Sequence, residues 1–483
     1  MAVAEICRRL DGLPLAIELA AARSRLLDPA AVLARLGSRL DALGPGPVDL
    51  PERQRTLRAT VEWSVGLLED AEQQMLAVLS VFVEGWTVEA AVSVSGLPED
   101  RALDLLDALS RSSLVDIALT DAGPRFRMLA SVQEFAAERL AAGADRADVE
   151  RRHAEYFGAL VENADCPAER QGEWADRLRL EEENLRVAIR WFLTHDIARL
   201  PHIFRILWLF WQMRSRMPEG RAWIDELERR ADALDDRARA ELLFTSAVTA
   251  VEVGDDDRAV AAVDGLRRLE GRIDDPFLES AAHLAISWIL PIDDDLDGAL
   301  SAAATALDGL RSQNDPFMAF AALTAGMVET ALGPDDEARA HLTEVDELGA
   351  QFDNNWLTST ARSQLATLAV RSGRLDEARA LLVGSVDATD DSEVSSVTLT
   401  FSLVSAARLA LAVGDAGRAA TALGAADGLR RRAGLRAWPS KRRGEAALAT
   451  RVAREIDGAA YEAAFTAGAE MSHREAVTLV RRP

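Results

Sequence analysis

The chain holds a single lysine, Lys441, in the segment PSKRRG. The phosphate-cradling loop GxxxxGK[ST] therefore occurs nowhere in its 483 residues. With it go the nest of backbone N–H groups and the ammonium that hold nucleotide phosphates. The histidines His153, His195, His202, His283, His341 and His473 are scattered, with no HxxxH or HExxH spacing, so no metal site is expected. Cys7 and Cys166 sit in no CxxC pair, which suits a reducing compartment. No Ser/His/Asp grouping, GxSxG elbow or paired-carboxylate signature stands out, and no catalytic residue is assigned. The one concentrated basic feature is Arg430, Arg431, Arg432, Arg436, Lys441, Arg442 and Arg443. It could meet DNA or an acidic partner. The preferred expectation is a solvated helix end at Arg430, Arg431 and Arg432, complementing the helix dipole, with the rest in a Pro439-containing loop.

The elements that must position these groups follow from composition. Apolar residues make up 49% and aromatics only 5%, with Ala, Leu, Arg, Asp and Glu dominant, as in packed helices. Net charge is −24, unevenly spread. Residues 1–150 carry 15 basic and 24 acidic groups, residues 151–426 carry 28 and 48, and residues 427–483 reverse the sign with 12 and 7. An acidic body repels phosphate backbones, which disfavours nonspecific nucleic-acid binding. The strongest apolar run, 203–211, is interrupted by Arg205 and far short of a membrane span, so no membrane partner is expected. No signal peptide is read at the N-terminus, and a cytoplasmic location is expected.

Residues 4–43 read as helices broken at Gly12 and Pro14, and the change at Gly44-Pro45-Gly46-Pro47 reads as a linker. Helical patterns then run over 57–68, 70–82, 88–94 and 98–112. Two extended runs, 114–119 and 125–129, follow as a hairpin. Helices followed by a hairpin give the order of a winged helix-turn-helix domain. Beyond residue 140 no strand is evident, and a repeat emerges instead. A Gly/Asp turn leads into a helix opened by alanine at Ala259, Ala299, Ala338, Ala378 and Ala419, spaced 40, 39, 40 and 41 residues apart. Two helices per period of about 40 residues mean an α-solenoid. Trp174, Trp191, Trp208, Trp211 and Trp223, crowded before these units, are expected to be core.

These residues carry a resemblance. ICRRLDGLPLAIELAAAR (6–23) resembles the GLPL-type motif that closes the ATPase module of STAND and NB-ARC regulators. RQRTLRATVEWSVGLL (53–68) and LSVFVEGWTVEAAVSV (79–94) resemble the winged helix that follows it. NLRVAIRW (184–191), EGRAWIDEL (219–227) and AFTAGAEMSHREAVTLV (464–480) are similar to the tetratricopeptide-like back halves of actinobacterial regulators of the LuxR-related and antibiotic-regulatory-protein-related kind. The resemblance implies that Pro14 matches the proline packing beside adenine, a vestigial contact here. Members carry a P-loop before the GLPL motif, and LuxR-related ones a DNA-reading domain at the far end; neither is found in these residues. No cofactor is expected, ATP or ADP entering only with an upstream NTPase module.

The expected fold is mainly all-α: a helical remnant over 1–45, a winged helix-turn-helix domain over 52–142, a diverged helical repeat over 150–235, tetratricopeptide-like repeats over 236–435 and a helical cap over 436–483. The expected function is a non-enzymatic regulatory scaffold that binds a protein or peptide, or a small effector, on the concave face of the repeats. One alternative is a DNA-binding transcriptional regulator using Arg101 and Arg111 of the helix at 98–113 and Arg125 and Arg127 of the wing. That helix also carries Glu99, Asp100, Asp104 and Asp107, which argues against reading DNA. The other alternative is the C-terminal part of a complete ATP-dependent switch.

Overall fold

The computed structural model describes residues 2–9, 28–29, 57–120, 123–163, 171–214, 216–313, 317–332, 335–387 and 396–482. It is almost wholly helical, with one two-stranded antiparallel sheet among the described residues. Pro14, Cys166 and most of the stretch 6–23 lie outside the described residues. Two compact units form. One holds the described residues up to Leu160 together with Leu180–His195, the other Val161–Arg179 and Asp196 onward, so the stretch 150–235 is shared between them.

In the first unit α1 (Ala2–Arg9) precedes α2 (Leu57–Val65), α3 (Asp70–Leu79), α4 (Val88–Ser95) and α5 (Glu99–Arg111). The hairpin β1 (Val115–Thr120) and β2 (Gly123–Met128) follows, then α6 (Ala130–Ala142) and α7 (Arg146–Glu162). Local chemistry sets the boundaries. Glu69 and Glu72 form a capping box at the start of α3, and Thr87 caps α4, which stops at Gly96 in the left-handed region. Strand pairing runs from Val115↔Met128 to Thr120↔Gly123, so Thr120, Gly123 and Pro124, expected as spacer, belong to the sheet.

A third extended piece escaped the sequence reading. Trp86 exchanges two 2.8 Å backbone hydrogen bonds with Phe126, laying residue 86 beside β2. Gly85 permits this at φ +110°, where a Cβ would stand 2.5 Å from the Phe126 carbonyl oxygen. Trp86 stacks on Phe82 and Phe126, with ring centroids 5.2 and 6.4 Å away.

The second unit contains α8 (Gln171–Leu180, whose last residue falls in the first unit), α10 (Leu200–Met213) and α11 (Met217–Glu228); α9 (Glu182–His195) belongs to the first. Trp174, Trp208 and Trp211 are core, while Trp191 and Trp223 are half-buried. Five helical hairpins follow. Their first helices are α12 (Asp236–Val253), α14 (Pro276–Ile289), α16 (Met318–Leu332), α18 (Asn355–Arg371) and α20 (Ser396–Ala412). Their second helices are α13 (Asp256–Leu269), α15 (Leu296–Ser312), α17 (Asp335–Gln351), α19 (Leu375–Asp387) and α21 (Ala416–Ala433).

Each repeated alanine is the fourth residue of its second helix, and all five are fully buried. Asp255, Asp295 and Asp415 cap three of these helices through the amide three residues on. First helices pack on the first helices of neighbouring hairpins, whereas second helices do not pack on one another to a comparable extent, so the array bends toward its first helices. Three further helices, α22 (Pro439–Glu455), α23 (Gly458–Ala469) and α24 (His473–Arg481), complete the unit.

Ala299→Leu and Ala378→Leu each force four-carbon side chains into filled space and are expected to cost about 1–3 kcal/mol in urea unfolding. Ser301→Leu, on the exposed side of α15, should stay within about 0.5 kcal/mol. Equal effects at all three positions would refute the role given to the repeated alanine.

Candidate functional site

Helix α5 buries Ala102, Leu105, Leu106 and Leu109. Its exposed face therefore consists of Glu99, Asp100, Arg101, Leu103, Asp104, Asp107 and Arg111. Four acids face two bases there, and Arg111 is tied to Asp107 at 3.1 Å. On the wing, Arg127 is exposed and lies 3.9 Å from Asp116, while Ile117 and Leu119 of β1 stand in solvent, Leu119 at 88% exposure. Apolar side chains this open beside an acidic helix suit contact with a protein better than with a phosphate backbone.

Arg125 has a different position. Its guanidinium donates to Glu181 Oε1 at 2.6 Å, to the Leu180 carbonyl at 2.6 Å and to the Gly85 carbonyl at 3.2 Å. Its side chain is 11% exposed and that of Glu181 7%. Asn184 extends the cluster, donating to Glu181 and Gly85 and accepting from the Val83 amide. His153 lies 3.4 Å from Asn184, packed by Phe82 and Phe157, and burial pushes its imidazole down to about 4, against the Asn184 hydrogen bond. Arg125 thus pins the wing to the start of α9 and presents no free guanidinium to DNA. Neither residue type nor the alternation along β2 separates it from Arg127, since the two share a face; Glu181 and Leu180 close over Arg125 only.

The C-terminal basic cluster is stitched into the second unit. Arg430 makes a two-point ion pair with Glu445 at 2.6 and 2.9 Å. Arg432 caps the end of α23 through the Ala469 and Met471 carbonyls, and Arg431 is exposed beside Asp427. Pro439 opens α22 instead of lying in a loop, as suits its fixed φ and missing N–H. The segment 435–441 runs over the first helices. The Arg436 amide donates to the Glu252 carbonyl, Trp438 packs between Trp288 and Phe401, and Lys441 Nζ donates to the Met327 carbonyl at 2.8 Å. The inner face expected to receive a partner is covered there by the chain itself, because an apolar surface bearing Trp288 and Phe401 is stabilised by burial.

Beside this segment a cavity of about 560 Å³ remains, between α16, α18, α20, the turn Leu290–Asp293 and α22. Arg371, Arg408, Lys441, Arg442 and Arg443 line it, with Asp294 and Glu445 as the acids. Arg371 pairs with Asp335 at 2.6 Å, Arg442 with Asp256 at 2.6 Å and Arg443 with Asp294 at 2.7 Å. Arg408 has no hydrogen bond or ion pair with any described residue, and α22 makes room for it at Gly444, where a Cβ would sit 3.3 Å from Nη2. Burial holds its guanidinium below the usual range, and the Arg371 and Arg451 charges add to this against Glu445. Burial, then Arg408, push the Lys441 amine down to about 7. Among the described residues no group of His, Cys, Asp or Glu could hold a metal ion, and no helix is long and apolar enough to cross a membrane.

Residues 68–141 match the winged helix-turn-helix domain family. That is the stretch from just after α2 to the last turn of α6. Over 259 residues the chain is 34% identical to a protein of Mycobacterium bovis and one of Mycobacterium tuberculosis, both named as HTH-type transcriptional regulators. The match takes in 53% of this chain and 29% of each relative, so the chain spans under a third of the regulators it matches. A Signal Transduction ATPase with Numerous Domains (STAND) protein with a tetratricopeptide repeat sensor from Pyrococcus horikoshii aligns at a TM-score of 0.47 and 14% identity, over 93% of this chain and 67% of that one. A score that low gives the likeness no weight for function.

Arg125→Ala leaves Glu181 buried and unpaired and should cost roughly 3–5 kcal/mol, whereas Arg127→Ala should stay within about 0.5 kcal/mol in the same urea titration. Comparable losses would remove the distinction between the two.

Glu252, fully buried and hydrogen-bonded to Gln212, is pushed up by burial from 4.5 to about 8. Between those values the folded chain keeps a proton that the unfolded chain has lost. Stability is therefore full below the lower value and falls as pH rises to the upper one, by on the order of 5 kcal/mol. Glu252→Gln should abolish that slope in urea midpoints measured across the range. A slope retained in the variant would assign it to other groups.

Proposed function

We propose that the chain is a non-enzymatic, cytoplasmic regulatory scaffold of a transcriptional regulator, in which the helical hairpins take an effector and the winged helix passes its presence to a protein partner. The carrying observation is the cavity among the hairpins, with Arg408 facing it unpaired. A binding site built from stacked hairpins leaves the core intact while its lining varies. The winged-helix match and the named relatives support the regulatory setting. The covering of the inner face by 435–441 favours a small effector over an extended peptide along that stretch. The acidic exposed face of α5 and the open Leu103, Ile117 and Leu119 favour protein contact as output.

A second reading is favoured by the GLPL-like stretch at 6–23: the same effector site governs a STAND-type ATPase module, and ATP or ADP binds there. A third, direct DNA reading by Arg101 and Arg111, predicts a salt-dependent gel shift at low salt that is lost when both are replaced by alanine.

In cells lacking the chromosomal copy, the wild-type chain should restore the transcript profile, whereas Leu103→Asp with Leu119→Asp should not, circular dichroism confirming that the variant is folded. Full restoration by the folded variant would exclude the exposed winged-helix face as the output surface.

A further inference from the structure

The charges lining the cavity do not balance. Arg371, Arg442 and Arg443 each have an acid of their own, and Glu445 is committed to Arg430. Arg408 and Lys441 remain; the Lys441 ammonium donates to the neutral Met327 carbonyl and forms no ion pair with a described residue. A half-buried guanidinium whose one nearby acid, Glu445, is already paired with Arg430 is an unbalanced arrangement that one anion, seated beside it, relieves. Apolar residues line it as well: Pro291, Ile292, Leu296, Phe401 and Val404. A volume of about 560 Å³ is that of a pocket for a small organic molecule, not for a folded segment.

We infer that the cavity binds a small amphipathic organic acid, its carboxylate between Arg408 and Lys441 and its apolar body along Ile292, Leu296 and Phe401. A planar guanidinium matches a carboxylate in two parallel hydrogen bonds. A guanidinium and a partly protonated amine supply the positive charge for one anionic head group, and the apolar lining favours an organic acid over a free phosphate. Thr330, Thr367 and Ser405 also line the cavity, and their hydroxyls, already donating to carbonyls or to each other, can accept from a polar substituent. The inference rests on the effector reading above and names its ligand class.

The sole lysine gives a direct observable, because [13Cε]-lysine labelling of the full chain yields one side-chain resonance. The probes are octanoate, its neutral counterpart octanamide, and inorganic phosphate as an anion without a tail. Octanoate should shift the Lys441 signal and raise its titration midpoint by on the order of one to three pH units, as an opposite charge at contact distance does. Octanamide should do neither, and phosphate should bind at least roughly tenfold more weakly. Arg408→Gln should weaken octanoate roughly tenfold or more, and Ile292→Trp, filling the apolar end, should weaken octanoate while sparing phosphate. Thermal unfolding verifies that each variant is folded, and either one alone suffices for the test.

A signal unmoved by octanoate, or moved equally by octanamide, overturns the proposal. Equal binding of phosphate and octanoate overturns the apolar body. Unchanged octanoate affinity in the folded variants places the carboxylate elsewhere. Each of these failures leaves the transcript-profile result with Leu103→Asp and Leu119→Asp standing, so the ligand class and the regulatory reading fall separately.

Discussion

The second unit depends on close approach at one point in each hairpin. An alanine at the fourth position of the second helix, with no accessible surface, lets two helices meet with nothing larger than a methyl group between them. Repeated five times, that contact fixes the angle within hairpins and leaves the first helices as a continuous inner layer. Those helices are buried on nearly every side, and so their polar residues must be satisfied locally. Thr249 donates to the Thr245 carbonyl, Ser405 to the Ser363 carbonyl, and Thr367 shares a 2.9 Å hydrogen bond with Ser405. Thr360, Thr398 and Glu252 each keep an oxygen without a partner, and burial raises the Glu252 carboxyl so that it holds its proton.

The repeat is also written in the ion pairs. Arg221–Asp255, Arg237–Asp275, Arg272–Asp236, Arg311–Glu344 and Arg339–Glu377 each join residues one repeat apart, at separations of 33 to 38. Most are half in solvent, where a pair contributes about 0–1 kcal/mol, so they adjust register more than they stabilise. Arg125–Glu181 and Arg430–Glu445 are enclosed, and there the loss of one partner is what matters. An excess of acid over base in such a body leaves few arginines free. That is why basic residues clustered in sequence between 430 and 443 do not form a basic surface.

Features carried by local periodicity were legible in the sequence. The alanine spacing marked the hairpins, and the extended runs near 115 and 126 marked the sheet, because short-range chemistry decides both. The β-pairing of Trp86 was not legible: one residue gives no alternation, and only the left-handed conformation of Gly85 marks it. Nor was the inward course of Arg125, which depends on Leu180 and Glu181 more than fifty residues away. The route of 435–441 across the inner face depends on contacts up to 186 residues distant, such as Arg442 with Asp256, and sequence spacing holds no trace of them. The cavity is a product of that route. Its lining residues were visible as a basic cluster, but Arg408 belongs to an apolar helix pattern and gave no separate signal.

A chain of net charge −24 would seem a poor host for an anion. The balance is local. At physiological salt, exposed charges beyond about 8 Å are largely screened, so the acids on the outer helices contribute little inside the cavity. Arg408 and Lys441, partly withdrawn from water, act at short range in a medium of lower dielectric, where each contact counts several-fold more. The Arg408 charge, added to burial, depresses Lys441 and shows the same imbalance from inside. Whatever neutralises Arg408 relieves part of the depression of Lys441, so occupancy of the proposed site and protonation are linked, and the proposed anion is held more tightly as pH falls through the neutral range.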